Sequence, residues 1–351
     1  MYSQFYSNLL IEWYSANKRD LPWRDIKNPY LIWVSEIILQ QTRVNQGIDY
    51  YYRFIERFPT VNHLAESDED EVLKYWQGLG YYSRARNMYK AACIIVNEYG
   101  GNFPTDYSYI IKLSGIGEYT AAAISSFAFN LPYAVIDGNV YRVLSRLFAI
   151  ETPIDSGKAK AEFTMLAQNL LPILSAGEYN QAIMEFGALQ CVPVSPKCYE
   201  CIFKAECKAF KLNLVDDLPI KSKKNKITNR FFNYIFVHFN DRVFLQKRIE
   251  NDIWRNLYEF PLIESSKLLT ISELFDNDRF KEMFQGIDNL TIVKKTNPIR
   301  HILSHQVILC QFIVLNINMK NQYFENLFEI NFKDIDQYAI SRLIEKFLAG
   351  K

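Results

Sequence analysis

Cys191, Cys198, Cys201 and Cys207 fall within seventeen residues of this 351-residue chain in the spacing C-x6-C-x2-C-x5-C, while Cys93 and Cys310 stand alone. Four thiols this close together can surround one metal centre, and three readings follow. An iron–sulfur cube takes four soft sulfur ligands and tolerates spacers that a compact zinc knuckle seldom uses. Zinc stays open because Cys198 and Cys201 form a C-x2-C pair. Disulfides are the third reading, but MYSQFYSNLL lacks the basic start and small-residue cleavage site of an export leader. A reducing, intracellular setting is therefore expected. The spacing favours the iron–sulfur cluster.

The chain exceeds the length at which a single core stops growing, and with 49% apolar residues it can fill two. The apolar runs near Ile37 and Ile235 are far shorter than the roughly 18 residues of a membrane span. A net charge of +1 advertises no polyanion partner for the chain as a whole. From Lys197 to Arg230, however, nine basic residues face four acidic ones, a local balance of +5. That segment suits phosphate contacts, although a solvated linker has the same composition.

Helical periodicity dominates the first two hundred residues. Apolar faces recur around Ile32 to Val44, Val72 to Trp76, Ala85 to Val96 and Lys158 to Leu171, with Pro and Gly between them. The stretch DDLPIKSKKNKITNR is polar and lysine-rich and reads as a tether. Beyond it, FFNYIFVHF, DRVFLQKR and HQVILCQFIVLNI carry the aromatic and β-branched residues of strands, and Tyr338 to Leu348 reads as a closing amphipathic helix.

The segment LSGIGEYTAAAI, residues 113–124, places Gly115 and Gly117 around one apolar residue, with Thr120 and alanines opening the next helix. Backbone N–H groups at such a turn converge on a point outside the protein where a phosphate oxygen can sit. This has the form of a helix-hairpin-helix motif, which grips the nucleic-acid backbone without reading sequence.

With SEIILQQT (Ser35 to Thr42), GLGYYSRARN (Gly78 to Asn87), LSGIGEYTAAAI, IDGNVYRVLSR (Ile136 to Arg146) and the cysteine array, the chain resembles the helix-hairpin-helix DNA glycosylases, within them the MutY-type adenine DNA glycosylases. The likeness runs from LPWR at Leu21 to the C-terminal domain. It implies a multi-domain protein: an all-α catalytic half with a [4Fe-4S] lobe, and an α+β MutT-like (nudix-like) domain. The expected bounds are 1–214 for the catalytic region, with the N-terminal helix and 136–214 in the iron–sulfur lobe and about 28–135 in the hairpin lobe. A linker at 215–229 and the MutT-like domain at 230–351 follow. The implied partner is double-stranded DNA containing A opposite 8-oxoguanine or G, acted on by a monomer that is cytoplasmic, bacterial nucleoid-associated or otherwise intracellular.

Cutting the N-glycosidic bond of a neutral purine requires a proton for the leaving base and negative charge or a nucleophile for the sugar cation left behind. Glu36, in the apolar setting VSEIIL, is expected to be held protonated as the acid. Asp137, just before Gly138 and Asn139 at a helix start, is expected to be kept ionised by N–H donors. In the resembling family these positions protonate adenine N7 and stabilise the sugar cation. Sister enzymes that also cut the strand carry a lysine at the position of Tyr119, and a tyrosine forms no Schiff base. A monofunctional enzyme is therefore expected, with Tyr119 and Asn139 orienting Asp137 and water. The alternatives are an endonuclease III-like lyase acting on oxidised pyrimidines and a non-catalytic iron–sulfur DNA-binding protein.

The base must be flipped from the duplex, and something must fill the gap. The resemblance gives that work to Gln41 and Tyr81, with Thr42 and Leu79 beside them, and gives the adenine pocket Arg24 and Glu185. In the C-terminal domain IWRNLYEFP (Ile253 to Pro261) is the clearest nudix stretch, and the glutamate-rich helix of a pyrophosphate hydrolase is missing, so recognition is expected there. The family's Phe-Ser-His lesion-reading loop corresponds to Leu303, Ser304 and His305, in which the aromatic is replaced.

Overall fold

The structure, a computed structural model, describes residues 2–222 and 227–350. It divides into two compact units, Met1–Glu66 with Asn87–Lys223 and Ser67–Arg86 with Lys224–Lys351. No helix among the described residues is long and apolar enough to cross a membrane.

The first unit is helical. Its Pro29–Leu39 helix starts where Asn28 accepts the Tyr30 and Leu31 N–H groups and proline occupies the first turn. Eight of its residues are buried, Glu36 among them, so it is a core helix without a solvent face. The Glu118–Phe129 helix packs against it, and Ala121, Ala122 and Ala123 allow a close approach. A second group of helices, Tyr2–Asn17, Gly138–Phe148, Gly157–Leu170 and Ala176–Leu189, shares the cluster of Leu10, Tyr14, Leu144, Phe163, Ile183 and Phe186. Gly187 lets the last of these pass close to Asn139, since a β-carbon there would stand 2.7 Å from the Asn139 β-carbon. Val72–Trp76, Ala85–Val96 and Lys158–Leu171 fall in helices, the last two realised as Ser83–Tyr99 and Gly157–Leu170, whereas the stretch Ile32–Val44 is broken: its helix ends at Leu39, a turn with Gln41 at φ 58° follows, and a new helix starts at Val44.

The segment expected to be a tether from residue 215 is bound to this unit for half its length. Leu218 is buried, Ile154 N–H donates to the Ile220 carbonyl at 2.9 Å, and Ser222 bonds Asp155. Of the expected linker, 223–226 lie outside the described residues, and the first strand begins at Thr228. The apolar Leu218 anchors what composition alone marks as polar chain.

The second unit holds an eight-stranded sheet: β1 Thr228–Phe239, β2 Arg242–Lys247, β3 Tyr258–Glu259, β4 Leu262–Ser265, β5 Thr291–Lys295, β6 Ile299–Ile302, β7 Gln306–Asn316 and β8 Phe328–Asn331. The two long strands, β1 and β7, run parallel with Tyr234 opposite Phe312, and the pairings of β4, β5 and β6 onto them are antiparallel. Alternation along β1 sends Phe232, Tyr234 and Phe236 to one face, where the Arg342–Ala349 helix supplies Leu343, Ile344 and Phe347. Ile235 and Val237 meet Leu274, Phe280 and Phe324 on the other face. The closing helix expected from Tyr338 starts later, at Arg342, capped by Ser341. Residues 67–86, expected in the hairpin lobe, belong to this unit, where Asp70 of the Glu69–Trp76 helix accepts from Lys247 at 2.5 Å and Tyr258 at 2.8 Å.

Candidate active site

Three helices of the first unit bring Glu36, Tyr119, Asp137 and Asn139 to the wall of one cavity of about 490 Å3. Glu36, 8% exposed, lies in the last turns of Pro29–Leu39. Tyr119 lies in the first turn of Glu118–Phe129, and its hydroxyl donates to Glu36 Oε2 at 2.7 Å. Asp137 is the N-cap of Gly138–Phe148. Its Oδ1 accepts the Val140 N–H at 2.8 Å and its Oδ2 accepts the Asn139 amide at 2.7 Å. Asn139 is thus bonded to Asp137, while the Tyr119 hydroxyl, near enough to feel the Asp137 charge, donates to Glu36.

Burial pushes the Glu36 carboxyl up to about 7, against the opposing pull of the Tyr119 hydrogen bond and the Arg24 charge. The Asp137 carboxyl is also raised, by the same desolvation, which outweighs the Val140 N–H and the Asn139 amide. This corrects the expectation that donors alone would lower it. The two acids remain unequal in their surroundings. Asp137 has two donors that favour its anion, whereas Glu36 has one neutral phenol and feels the Asp137 charge. The hydrogen bonds to Asp137 favour its anion more than the single phenol favours that of Glu36. The arrangement can therefore offer a proton and a carboxylate to one molecule in the cavity.

Arg24 and Glu185 line the cavity too, but Glu185 is spoken for. Its Oε1 accepts from Arg19 Nε at 2.7 Å, and its Oε2 accepts from Arg19 Nη2 at 2.7 Å and Arg24 Nη2 at 2.8 Å. Arg24 Nη1 donates to Tyr14 and Gln181. Glu185 thus lines the cavity as a buried anion that fixes two arginines. Arg19 and Gln181 escaped sequence reading, since nothing in their spacing marks them.

Arg142 also escaped, although R-x3-R in IDGNVYRVLSR places Arg142 and Arg146 on one helix face. Its Nη2 donates to Asn139 Oδ1 at 2.8 Å and the Gly187 carbonyl at 2.6 Å, and its Nε donates to the Cys191 carbonyl at 2.7 Å. One guanidinium therefore joins the residue that holds Asp137 to the first residue of the cysteine array.

The four cysteines of the array line a second, small cavity with Val143, Leu147, Phe186 and Phe203. Burial raises the Cys201 thiol to about 12 and raises those of Cys198 and Cys207, each thiol feeling its neighbours. Among the described residues no three His, Cys, Asp or Glu side chains converge as a single-ion site requires. The donor set is all sulfur and the lining mostly apolar, which fits a sulfur-ligated cluster wider than one ion.

Of the residues expected at DNA, Gln41 is exposed at positive φ (58°), and both it and Thr42 border the active-site cavity. Gly115 takes φ +76°, and Gly117 caps the next helix with open space where a side chain would stand. Thr120 is 2% exposed and its hydroxyl accepts from Gln40, so it faces the interior and not a phosphate. In the second unit Tyr81 is 48% exposed at φ 48°, while Leu79 is buried, which removes Leu79 as a wedge in this conformation. Leu303 packs against the sheet core, and Ser304 and His305 form the exposed tip between β6 and β7, closed by the Leu303 N–H on the Gln306 carbonyl at 2.8 Å. Leu303 is therefore an anchor of that tip, and the Ser304 hydroxyl hydrogen-bonds the Tyr81 hydroxyl.

Residues 34–168 match the HhH-GPD superfamily of base excision DNA repair proteins, and residues 234–350 match the NUDIX domain. An adenine DNA glycosylase of Buchnera aphidicola subsp. Baizongia pistaciae is 37% identical over 315 residues, covering 90% of this chain and 86% of that one. The chain belongs to the adenine DNA glycosylase family. A family member from Buchnera aphidicola subsp. Acyrthosiphon pisum is 34% identical over 354 residues, covering 99% of this chain and 98% of its own. The human adenine DNA glycosylase is 42% identical over 209 residues, 57% of this chain and 38% of that one. Among solved structures, a thermostable thymine-DNA glycosylase is similar at TM-score 0.56 and 27% identity, covering 60% of this chain and 97% of that one. Endonuclease III in a non-covalent DNA complex is similar in fold, at TM-score 0.51 and 23% identity, covering 60% of this chain and 98% of that one. The family expected from the sequence motifs is the family found.

Proposed function

We infer that the protein hydrolyses the N-glycosidic bond of adenine mispaired with 8-oxoguanine or G in duplex DNA, as a monomer and a monofunctional enzyme that leaves an abasic site. The observation that carries this reading is the unequal pair Glu36 and Asp137 on the wall of one cavity roomy enough for a base. Glu36, neutral up to about pH 7, donates its proton to a ring nitrogen of the purine. The bond from that base to C1′ breaks, its electrons leave with the base, and the base departs uncharged. Asp137, held by Val140 and Asn139, faces the sugar cation until water adds at C1′ and gives its spare proton to the Glu36 carboxylate. Tyr119 fixes the acid, and Arg19 and Arg24, pinned by Glu185, shape the rest of the cavity.

A lyase reading needs an amine where Tyr119 stands hydrogen-bonded to Glu36. A mere binding protein has no use for a buried, destabilising acid. Tyr81 with Ser304 and His305 supplies a polar, partly aromatic surface suited to the opposite lesion. The four cysteines would hold a [4Fe-4S] cluster, which when bound ties 191–207 into one body and gives it charge.

Single-turnover cleavage of duplexes bearing A opposite 8-oxoguanine, G, C or T tests the reading. Fast, slower, then negligible release is expected, leaving abasic sites that break only on heating with alkali. Activity surviving Glu36→Gln would remove Glu36 as the acid. An unchanged ratio of 8-oxoguanine:A to G:A cleavage after replacing both Ser304 and His305 by alanine would remove the lesion-reading assignment.

A further inference from the structure

Arg146 is 3% exposed, and its guanidinium is ringed by uncharged acceptors. Nε donates to the Leu218 carbonyl at 3.0 Å, Nη1 to the Val192 carbonyl at 2.7 Å, and Nη2 to the Pro193 carbonyl at 3.1 Å. Those bonds take up three of its five N–H groups and leave its charge without a carboxylate. Arg24 and Arg248, whose side chains are only 9% and 10% exposed, each have a carboxylate, Glu185 and Glu259 respectively. Arg146 has no such ion pair among the described residues; the group nearest to an anion beside it is Cys191 Sγ, 3.5 Å from Nη1. Its own carbonyl accepts the Cys207 thiol at 3.4 Å, and its side chain lines the cavity shared by all four cysteines. Lys197 and Lys204 also border that cavity, but both are exposed and screened by water.

A buried cation without a counter-charge is strongly disfavoured. Four thiolates around a divalent ion, or around a doubly charged iron–sulfur core, make a centre of net negative charge. Each deficit is the complement of the other. We propose that Arg146 is the buried counter-charge of the four-cysteine centre, a positioning residue that fixes the Cys191 ligand and offsets the negative charge of the thiolate set. This rests on reading the cysteines as the ligands of a sulfur-bound metal cluster. The carbonyls of Val192, Pro193 and Leu218 add a second duty, since the same side chain ties the chain after Cys191 to the chain after Cys207.

The test compares wild type, R146K and R146Q, isolated without oxygen, for iron, sulfide and zinc per chain and for the rate of metal loss to EDTA. R146K keeps the charge and should retain metal within about threefold of wild type, whereas R146Q should lose it roughly 10–100-fold faster, the range for removing a group that supports a metal ligand. Circular dichroism reports whether the helices persist. Equal retention by R146Q and wild type overturns the proposal, and so does equally fast loss by R146K and R146Q, which would assign the effect to hydrogen bonds alone. If R146Q does not accumulate, R146K decides by itself: wild-type retention supports the counter-charge and rapid loss overturns it. A wild type holding neither iron nor zinc overturns the metal reading first and the proposal with it.

Discussion

Glu36→Gln should stabilise the protein at neutral pH while abolishing adenine release. The Glu36 carboxyl rises from 4.5 when solvated to about 7 in the fold because it is buried. At about 1.4 kcal/mol per unit, that difference is worth about 3 kcal/mol between the two states. The sign follows from where the proton sits. Below pH 4.5 folded and unfolded chains both keep it, and the neutral acid costs nothing extra. As pH rises toward 7 the unfolded chain releases the proton and the folded one does not, so wild-type stability falls relative to a variant that cannot ionise. Above 7 the gap is constant. Glutamine keeps the size of the side chain and an oxygen to accept the Tyr119 hydroxyl, so packing changes little. The assay is the difference in urea midpoint between the two proteins from pH 5 to 8, converted with a common slope. The difference should grow in favour of the variant by about 1.4 kcal/mol per pH unit up to 7. A difference that does not change with pH, or a variant that is less stable throughout, refutes the claim that Glu36 is buried as a neutral acid.

Three further outcomes probe the supports of the pair. Tyr119→Phe removes the hydrogen bond that pulls the Glu36 pKa down, so the alkaline limb of the single-turnover rate should move to higher pH and the plateau should fall about tenfold, the worth of one hydrogen bond of ~1.4 kcal/mol. Arg142→Gln frees Asn139 from the guanidinium and should slow adenine release roughly 10–100-fold with little change in duplex affinity by gel shift, as loss of about 1.5–3 kcal/mol predicts. Gly115→Ala meets the Asn87 β-carbon at 2.5 Å and a positive φ, and should cost about 1–3 kcal/mol in thermal unfolding. Gly117→Ala meets no protein atom within 4 Å, so it should leave stability within about 0.5 kcal/mol and weaken binding to duplex DNA instead.

Features carried by a few neighbouring residues were legible in the sequence; features that sum over the fold were not. The cysteine array, the Gly115–Gly117 turn and the strands β1, β2 and β7 are written in spacing, glycine placement and β-branched runs. The N-cap position of Asp137 was equally visible, but the depth of the cavity around it was not, and depth decides its ionisation. Tyr119 was legible as a site residue, but its hydrogen bond to Glu36 was not, because that partner depends on how two helices cross. Glu185 lies more than 160 residues along the chain from Arg19 and Arg24, so its saturation could not be read locally. Leu218, one apolar residue in a polar run, anchors a segment that composition marks as free.

The helix Gly138–Phe148 explains why two such different centres coexist in one unit. Asp137 caps its first turn, while Arg142 and Arg146, one turn apart on the same face, turn toward Cys191. Arg142 holds the Cys191 carbonyl with one nitrogen and Asn139 with another, so the position of the Asp137 carboxylate is referred to the chain at the first cysteine. A helix in this role cannot slide or rotate without breaking bonds at both ends. In the proposed reaction that rigidity matters most for Asp137, which would face a cation without a water shell to correct its aim. Glu36 needs less, because the acid sits mid-wall in an apolar helix and one phenol suffices to set its direction. In the proposed reaction, the helices around the cysteines thus help to aim the Asp137 carboxylate, and Glu36 is held by Tyr119 of the Glu118–Phe129 helix.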